Sequence, residues 1–221
     1  MRLRRRDELI GGVIFDVDGV LLDTMPYWHS CGERFLATLG IEAEPGLGDR
    51  LFAETPITGA HYLKEHYHLP MTEEEVRAGT NRAMQEAYES LAGLKPGARE
   101  LLNRFAEAGI PMTVASSTDR PYLETAFERL GIGDYFLRVL SCGELQTTKA
   151  SPKIFYAAAD IMGLDCPQVF VFEDGLYSIR TAAAAGFHTV GVYDAASEAD
   201  QEEIMRVADF YYRSLTDFEL I

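Results

Sequence analysis

Five short runs of β-branched and aromatic residues, separated by stretches of helical pattern, constrain the fold of this chain most strongly. Glycine, proline or acidic residues bound these runs, so we interpret them as buried strands. Parallel strands need long crossover connections, which are usually helical. The alternation therefore predicts an α/β fold: a Rossmann-like core with a mostly parallel sheet and helices on both faces. The predicted strands are 12–16, 111–116, 136–141, 168–173 and 189–193.

Helical patterns fill the intervals between these runs. In residues 95–108, Leu101, Leu102 and Phe105 recur at helical spacing. Another helix is predicted over 121–130, and Ser151-Pro152 is expected to open a third as an N-cap with a first-turn proline. Glycines should end two of the core helices, at Gly163 and Gly186.

Residues 24–94 break the alternation, because they contain no convincing strand. Helices are predicted near 25–39, 56–66 and 72–91, the last opened by a capping box in which Thr72 pairs with Glu75. Pro96 and Gly97 interrupt the pattern at its end. We therefore predict a small all-helical domain over 24–94, inserted after the first strand of a core formed by 1–23 and 95–221, with hinges at both junctions.

The charge of the chain limits its partners. A formal net charge of −15 over 221 residues, with 47% hydrophobic residues, describes a globular acidic protein that would repel a nucleic-acid backbone. A small anionic substrate must therefore meet local positive charge or a metal. Neither a nucleic acid, a membrane nor a protein partner is predicted.

The arginine-rich start, Met1 to Arg6, resembles a signal peptide superficially. The following apolar run contains Asp16 and Asp18, and no stretch reaches the ~18 apolar residues that span a bilayer. We interpret the arginines as a solvated tail and expect a cytoplasmic protein. The odd number of cysteines without C-x-x-C spacing fits reduced, buried thiols; they are Cys31, Cys142 and Cys166.

Two aspartates, Asp16 and Asp18, follow the first predicted strand, and Gly19 allows the chain to turn after them. Side chains two residues apart in extended chain point the same way. Two carboxylates at such a short distance from each other either share a proton or hold a cation. Ligands of open α/β sheets bind at this carboxyl edge. By itself, however, D-x-D is a weak motif.

Three further polar features follow later strands or precede a helix, and their order strengthens the signal. Ser116 ends the second strand and offers a hydroxyl to an anion, although serines at such places often cap helices. Lys149 precedes the helix that follows the third strand, where it could be an ordinary surface lysine. Glu173-Asp174 ends the fourth strand and offers the oxygen ligands that hard cations prefer.

The segment from Phe15 to Thr24, FDVDGVLLDT, resembles the first motif of the haloacid dehalogenase superfamily. Ser116, Lys149 and Glu173-Asp174 match its second, third and fourth motifs. The resemblance covers essentially the whole chain and includes a helical cap after the first motif, as in the β-phosphoglucomutase-like branch. It implies a phosphoric monoester hydrolase with a Rossmann-like core and a mobile cap.

The resemblance also implies roles for the motif residues. Asp16 would be the nucleophile that forms an aspartyl-phosphate, and Asp18 the general acid and base. Ser116 and Lys149 would hold the phosphoryl oxygens. The expected ligands of Mg²⁺ are Asp16, Asp18 through its main-chain carbonyl, Asp174 and, in support, Glu173.

The predicted function is hydrolysis of a small phosphomonoester, a phosphosugar or related metabolite. Phosphosugar mutase activity stays as an alternative, although β-phosphoglucomutases typically carry a histidine where this chain has Trp28, and their basic cap motif is not clearly reproduced around Arg50. Asp18 argues against dehalogenation, because halide leaves without protonation. Candidate substrate-binding residues are Ser117, Trp28, Arg50 and Arg120, with Tyr27 beside them.

Single features of the sequence argue against more distant alternatives. Phosphonate cleavage would need a cap lysine, and Lys64 is expected to be solvated. A phospho-receiver domain would be much shorter, and a non-catalytic binding protein would not need every motif residue. A metal site among the cap histidines is disfavoured, and an exposed helix end is expected instead; these residues are His61, Glu65, His66 and His68.

Overall fold

The computed structural model describes residues 10–52 and 54–218. The chain divides into two compact units. One, the α/β unit, combines Met1–Asp23 with Gly93–Ile221, and the other, the helical unit, is Thr24–Ala92. The helical unit thus ends two residues before the predicted limit at residue 94. The arginine-rich start lies outside the described residues.

A six-stranded sheet forms the centre of the α/β unit, in the order β3-β2-β1-β4-β5-β6, and every pairing is parallel. This is the strand order of dinucleotide-binding Rossmann folds, in which ligands bind where the order reverses. Here the reversal lies between β1 and β4. The strands are β1 Gly12–Phe15, β2 Met112–Ser116, β3 Arg138–Ser141, β4 Val169–Glu173, β5 His188–Val192 and β6 Phe210–Tyr212.

The central strand β1 is buried on both sides because consecutive residues face opposite layers. Phe15 packs with Phe172 at 4.8 Å between ring centroids, in an aromatic layer that also contains Phe105 and Phe218. Ile14 belongs to a separate buried layer on the other face. Burial on both faces explains why the strands are continuously apolar, and the predicted fold class is confirmed.

Four α-helices make up most of the helical unit: α1 Met25–Thr38, α2 Leu47–Phe52, α3 Pro56–His66 and α4 Glu73–Glu86. Phe35 and Leu63 help to form its own buried core. The predicted capping box opens α4, since the Glu75 amide donates to Thr72 Oγ1 at 3.2 Å and the Thr72 amide donates to Glu75 Oε2 at 2.7 Å. A π-helical turn, Ala87–Leu91, follows α4 within the longer helix that the sequence predicted.

The helices of the α/β unit flank the sheet and are α5 Ala98–Glu107, α6 Arg120–Leu130, α7 Lys153–Met162, α8 Leu176–Ala184 and α9 Gln201–Val207. Gly163 takes the left-handed conformation directly after α7, as predicted. Pro152 corrects one expectation, since it occupies the N-cap position of α7 rather than the first turn. No helix of the described chain is long and apolar enough to cross a membrane.

Several elements differ from the sequence prediction. The sixth strand and helices α2 and α9 were not predicted. All three cysteines are free, but burial was predicted for each and is complete for Cys142 alone. Cys31 lies on α1 and Cys166 in the short helical turn before β4, and both are half-buried.

Candidate active site

A tight turn directs the first acidic residues away from the sheet. The Asp16 amide still donates to Phe172 O of β4 at 2.9 Å, so this residue is fixed at the strand end. The Leu22 amide then donates to Val17 O at 2.8 Å, and Gly19 adopts a positive φ of 78°. Such a φ favours glycine because it has no Cβ. The turn therefore holds Asp16 at the reversal point of the strand order.

Lys149 connects two of the predicted site carboxylates. Its Nζ lies 2.6 Å from Asp16 Oδ1 and 2.5 Å from Glu173 Oε1, and its side chain is 2% exposed. Burial alone would lower the pKa of Lys149, but the charges of Asp16 and Glu173 outweigh burial and raise it. The ammonium is therefore charged at neutral pH. The sequence alone allowed a surface lysine at this position, and the structure corrects that reading.

Glu173 is held by donors on both carboxylate oxygens. Ser178, in the first turn of α8, donates to Oε1 at 2.6 Å, where Lys149 also binds. The main-chain amides of Asp174 and Gly175 donate to Oε2 at 3.1 and 3.2 Å. Buried carboxylates with several donors are well fixed. Glu173 therefore positions Lys149 and the loop after β4, a role that its sequence position did not indicate.

Three carboxylates lie close enough to share one metal ion. One oxygen each from Asp16, Glu173 and Asp174 lies within 4.8 Å of the others, the only such group of three or more candidate ligands in the part of the chain described. Burial, followed by the charge of Glu173, raises the pKa of Asp16 to about 8 and the pKa of Asp174 well above its usual value. Oxygen ligands that repel one another in this way fit a divalent cation such as Mg²⁺.

Asp18 lies outside that group of three and has a different partner. Thr118 Oγ1 donates to Asp18 Oδ2 at 2.8 Å, while the Thr118 amide donates to Ser116 Oγ at 3.0 Å. The loop after β2 thus joins two predicted site residues. Thr118 was not among the predicted site residues, although its place two residues after Ser116 was a usable signal. Metal binding through the Asp18 carbonyl stays a prediction.

The predicted substrate-binding residues lie in both units. In the α/β unit, Ser117 is exposed next to buried Ser116, and Arg120 Nε lies 2.8 Å from Glu144 Oε1. In the helical unit, Trp28 Nε1 donates to the Tyr88 hydroxyl at 3.0 Å. The Arg50 guanidinium stacks 4.1 Å from the Tyr62 ring centroid. The substrate roles of Ser117, Trp28, Arg50 and Arg120 stay predictions.

The histidines of the helical unit have carboxylate partners of their own. His61 Nδ1 lies 2.9 Å from Glu73 Oε1, and His66 Nε2 lies 3.0 Å from Glu44 Oε2. These are ordinary surface pairs, which stabilise a fold little. Among the described residues of this unit, no three candidate metal ligands lie close enough together to share one ion.

Several known proteins are similar to this chain in sequence or in fold. The chain is 27% identical over 210 residues to hexitol phosphatase B of Escherichia coli, covering 92% of each protein. It is 25% identical over 209 residues to the bifunctional riboflavin kinase/FMN phosphatase of Arabidopsis thaliana, covering 94% of this chain but 54% of that protein. The fold of β-phosphoglucomutase from Clostridium difficile is similar, with a TM-score of 0.71, 19% identity, and coverage of 96% and 94%.

The family described as haloacid dehalogenase-like hydrolase matches residues 10–186, well over half of the chain. That range contains all four motifs on which the resemblance was based, from Asp16 to Asp174. The predicted enzyme class, a phosphoric monoester hydrolase, is confirmed by the family and by its phosphatase relatives. The chain belongs to the haloacid dehalogenase-like hydrolases.

Proposed function

We propose that this protein is a magnesium-dependent phosphatase that hydrolyses a small phosphomonoester, a phosphosugar or related metabolite, through a phosphoryl group carried on Asp16. The observation that carries the proposal is the convergence of Asp16, Lys149 and Glu173 within 2.6 Å contacts at the reversal point of the sheet. A nucleophile, a fixed cation and metal-binding oxygens are what phosphoryl transfer needs. The phosphatase relatives support the same conclusion.

In the first step, a carboxylate oxygen of Asp16 attacks phosphorus and the alcohol leaves. Asp18 donates the proton to that alcohol and later takes one from the water that hydrolyses the intermediate. The 2.8 Å bond from Thr118 keeps the Asp18 carboxyl oriented for both transfers. Lys149, charged and buried, holds phosphoryl oxygens together with Ser116.

Mg²⁺ would be held by Asp16 and Asp174, with Glu173 and the main-chain carbonyl of Asp18 in support. When bound, the cation would offset the like charges of the nucleophile and the phosphoryl group. Without the cation, burial and the charge of Glu173 raise the pKa of both Asp16 and Asp174, so each carboxyl holds a proton more readily than an exposed aspartate does. We also propose that the helical unit, predicted as residues 24–94, is a cap that selects the substrate, using Trp28 and Arg50.

The test is a panel of phosphate esters assayed with Mg²⁺ for phosphate release. Hexitol phosphates and FMN should be included because the relatives suggest them. A hexose 1-phosphate primed with the bisphosphate should be assayed for isomerisation in parallel. Release without isomerisation supports the phosphatase, whereas isomerisation with little release would replace it by a mutase.

Asp16→Asn should lower turnover by at least about a thousandfold, because the amide cannot act as the nucleophile. Asp23→Asn is the matched control, since it makes the same change at an exposed position of the same loop. Circular dichroism should show both variants folded. Turnover of Asp16→Asn close to that of Asp23→Asn would remove Asp16 as the nucleophile.

A further inference from the structure

Another lysine–carboxylate pair lies at the carboxyl edge of the sheet, and the proposed reaction does not use it. Lys95 Nζ lies 2.7 Å from Asp194 Oδ2 and donates to Tyr193 O at 2.9 Å. The two charged side chains are 15% and 7% exposed. A pair this buried costs desolvation energy on both sides, so its location needs an explanation.

Lys95 links two parts of the α/β unit that flank the site. Its main-chain amide donates to Leu21 O at 2.9 Å, in the turn that follows Asp16. Its side chain reaches the end of β5, where Asp194 is fixed by a further bond from the Ala196 amide to Oδ1 at 2.9 Å. The Lys95 ammonium is therefore fixed at the end of β5, while the Lys95 main chain is bonded to the turn that follows Asp16.

Asp194 belongs to the electrostatic environment of the metal-binding carboxylates. Strands β4 and β5 are adjacent and parallel, with Glu173 opposite Gly191. Asp174 and Asp194 each follow one of these strands by one or two residues, and neighbouring strands are about 4.8 Å apart. In agreement, the charge of Asp194 is among those that raise the pKa of Asp174.

We propose that Lys95 is a positioning residue that sets the charge of this site, by neutralising Asp194 so that a phosphorylated substrate and a divalent cation can both bind. The proposal rests on the proposed function. Without Lys95, one more uncompensated negative charge would act on the site. That charge would attract a cation more strongly and repel a phosphoryl dianion, two effects of opposite sign. A general loss of structure would weaken both.

The experiment measures Mg²⁺ binding and phosphate binding separately from turnover. Metal-free wild type, Lys95→Met, Asp194→Asn and the double variant are titrated with Mg²⁺, following thermal unfolding to obtain each Kd. Inorganic phosphate is then titrated at saturating Mg²⁺. Arg206→Met is the control, because it removes the same charge from a side chain that is 75% exposed on α9.

Lys95→Met should bind Mg²⁺ about three- to tenfold more tightly and phosphate about three- to tenfold more weakly than wild type. Asp194→Asn should shift both constants in the opposite direction. Both dissociation constants should be close to those of wild type in the double variant and in Lys95→Arg. If Lys95→Met is too unstable to measure, the double variant can still be used, because it contains no buried unpaired carboxylate at position 194. KM for the ester should rise more than kcat falls.

Two results would overturn the proposal. Mg²⁺ affinity in Lys95→Met that is unchanged or weaker, with wild-type binding intact, would show that Lys95 does not set the charge of the site. Equal shifts in Arg206→Met would show that net charge alone is responsible. A wild type that binds no Mg²⁺ at all would refute the proposed function itself, a failure that this titration distinguishes from the other two.

Discussion

Replacing Lys149 with methionine tests whether the buried ammonium holds the site together. Methionine has nearly the same length, but it leaves Asp16 and Glu173 without the cation that now lies 2.6 and 2.5 Å from them. Removing one partner of a buried ion pair costs about 3–5 kcal/mol of the free energy of unfolding. For a chain of this size, that loss lowers Tm by roughly 6–20 °C.

The loss of stability in Lys149→Met should depend on pH. Burial and the charge of Glu173 raise the pKa of Asp16 to about 8 even with Lys149 present. The charge of Lys149 lowers this pKa, so replacing Lys149 raises it further. A carboxyl whose pKa is raised by folding contributes less stability as the pH rises from its unfolded value of 3.8 toward its folded value. Asp16 stays protonated in both folded proteins at pH 5, but it begins to ionise in wild type as the pH approaches 8 and does so later in the variant. The Tm difference between Lys149→Met and wild type should therefore be larger at pH 8 than at pH 5.

The assay is thermal unfolding in a chelator at both pH values, followed by circular dichroism. Lys149→Met/Glu173→Gln is the matched double variant, and it should recover part of the loss because one buried charge is then gone. If the free energy of unfolding of Lys149→Met is within about 1 kcal/mol of wild type at pH 8, the reasoning is refuted, because an unpaired buried carboxylate destabilises a fold by more than that.

Two further predictions concern the metal and the general acid. Mg²⁺ at about 100 times its Kd should raise the free energy of unfolding by about 2.7 kcal/mol and Tm by roughly 5–11 °C; Asp174→Asn should lose most of this shift, and an undiminished shift would place the metal elsewhere. Thr118→Val removes the bond to Asp18 at nearly constant volume, so kcat should fall about tenfold for alkyl phosphates. With an aryl phosphate, whose leaving group needs no proton, the rate of the first half-reaction should fall less. Equal kcat values of wild type and Thr118→Val for alkyl phosphates would show that Thr118 does not orient Asp18.

The sheet was largely predictable because its strands are short and continuously apolar. The five predicted strands agree with the structure to within two residues at each end. The sixth strand, Phe210–Tyr212, was missed because it is three residues long and half exposed, so its pattern resembles a surface turn. Helices α2 and α9, of six and seven residues, are too short to show a clear period.

The site was predictable as a set of residues but not as a network of bonds. Asp16, Ser116, Lys149 and Glu173 each follow or precede a recognisable element, and parallel strands bring their ends together. The donors around them are different. Ser178 and Thr118 are ordinary residues in sequence, and their importance depends on contacts to residues that are 5 and 100 positions away.

The two points where the chain enters and leaves the helical unit affect which changes in sequence the fold can accept. The Asp23 amide donates to Gly93 O at 2.9 Å, and Leu22 and Leu94 form an antiparallel bridge. The two ends of the insertion are thus already joined by a small piece of sheet. Segments of different length or sequence can be exchanged between these ends at little cost in chain entropy, leaving the strand register untouched. Exchange of this segment would therefore change the substrate selection proposed for the helical unit and leave the proposed catalytic residues of the α/β unit in place.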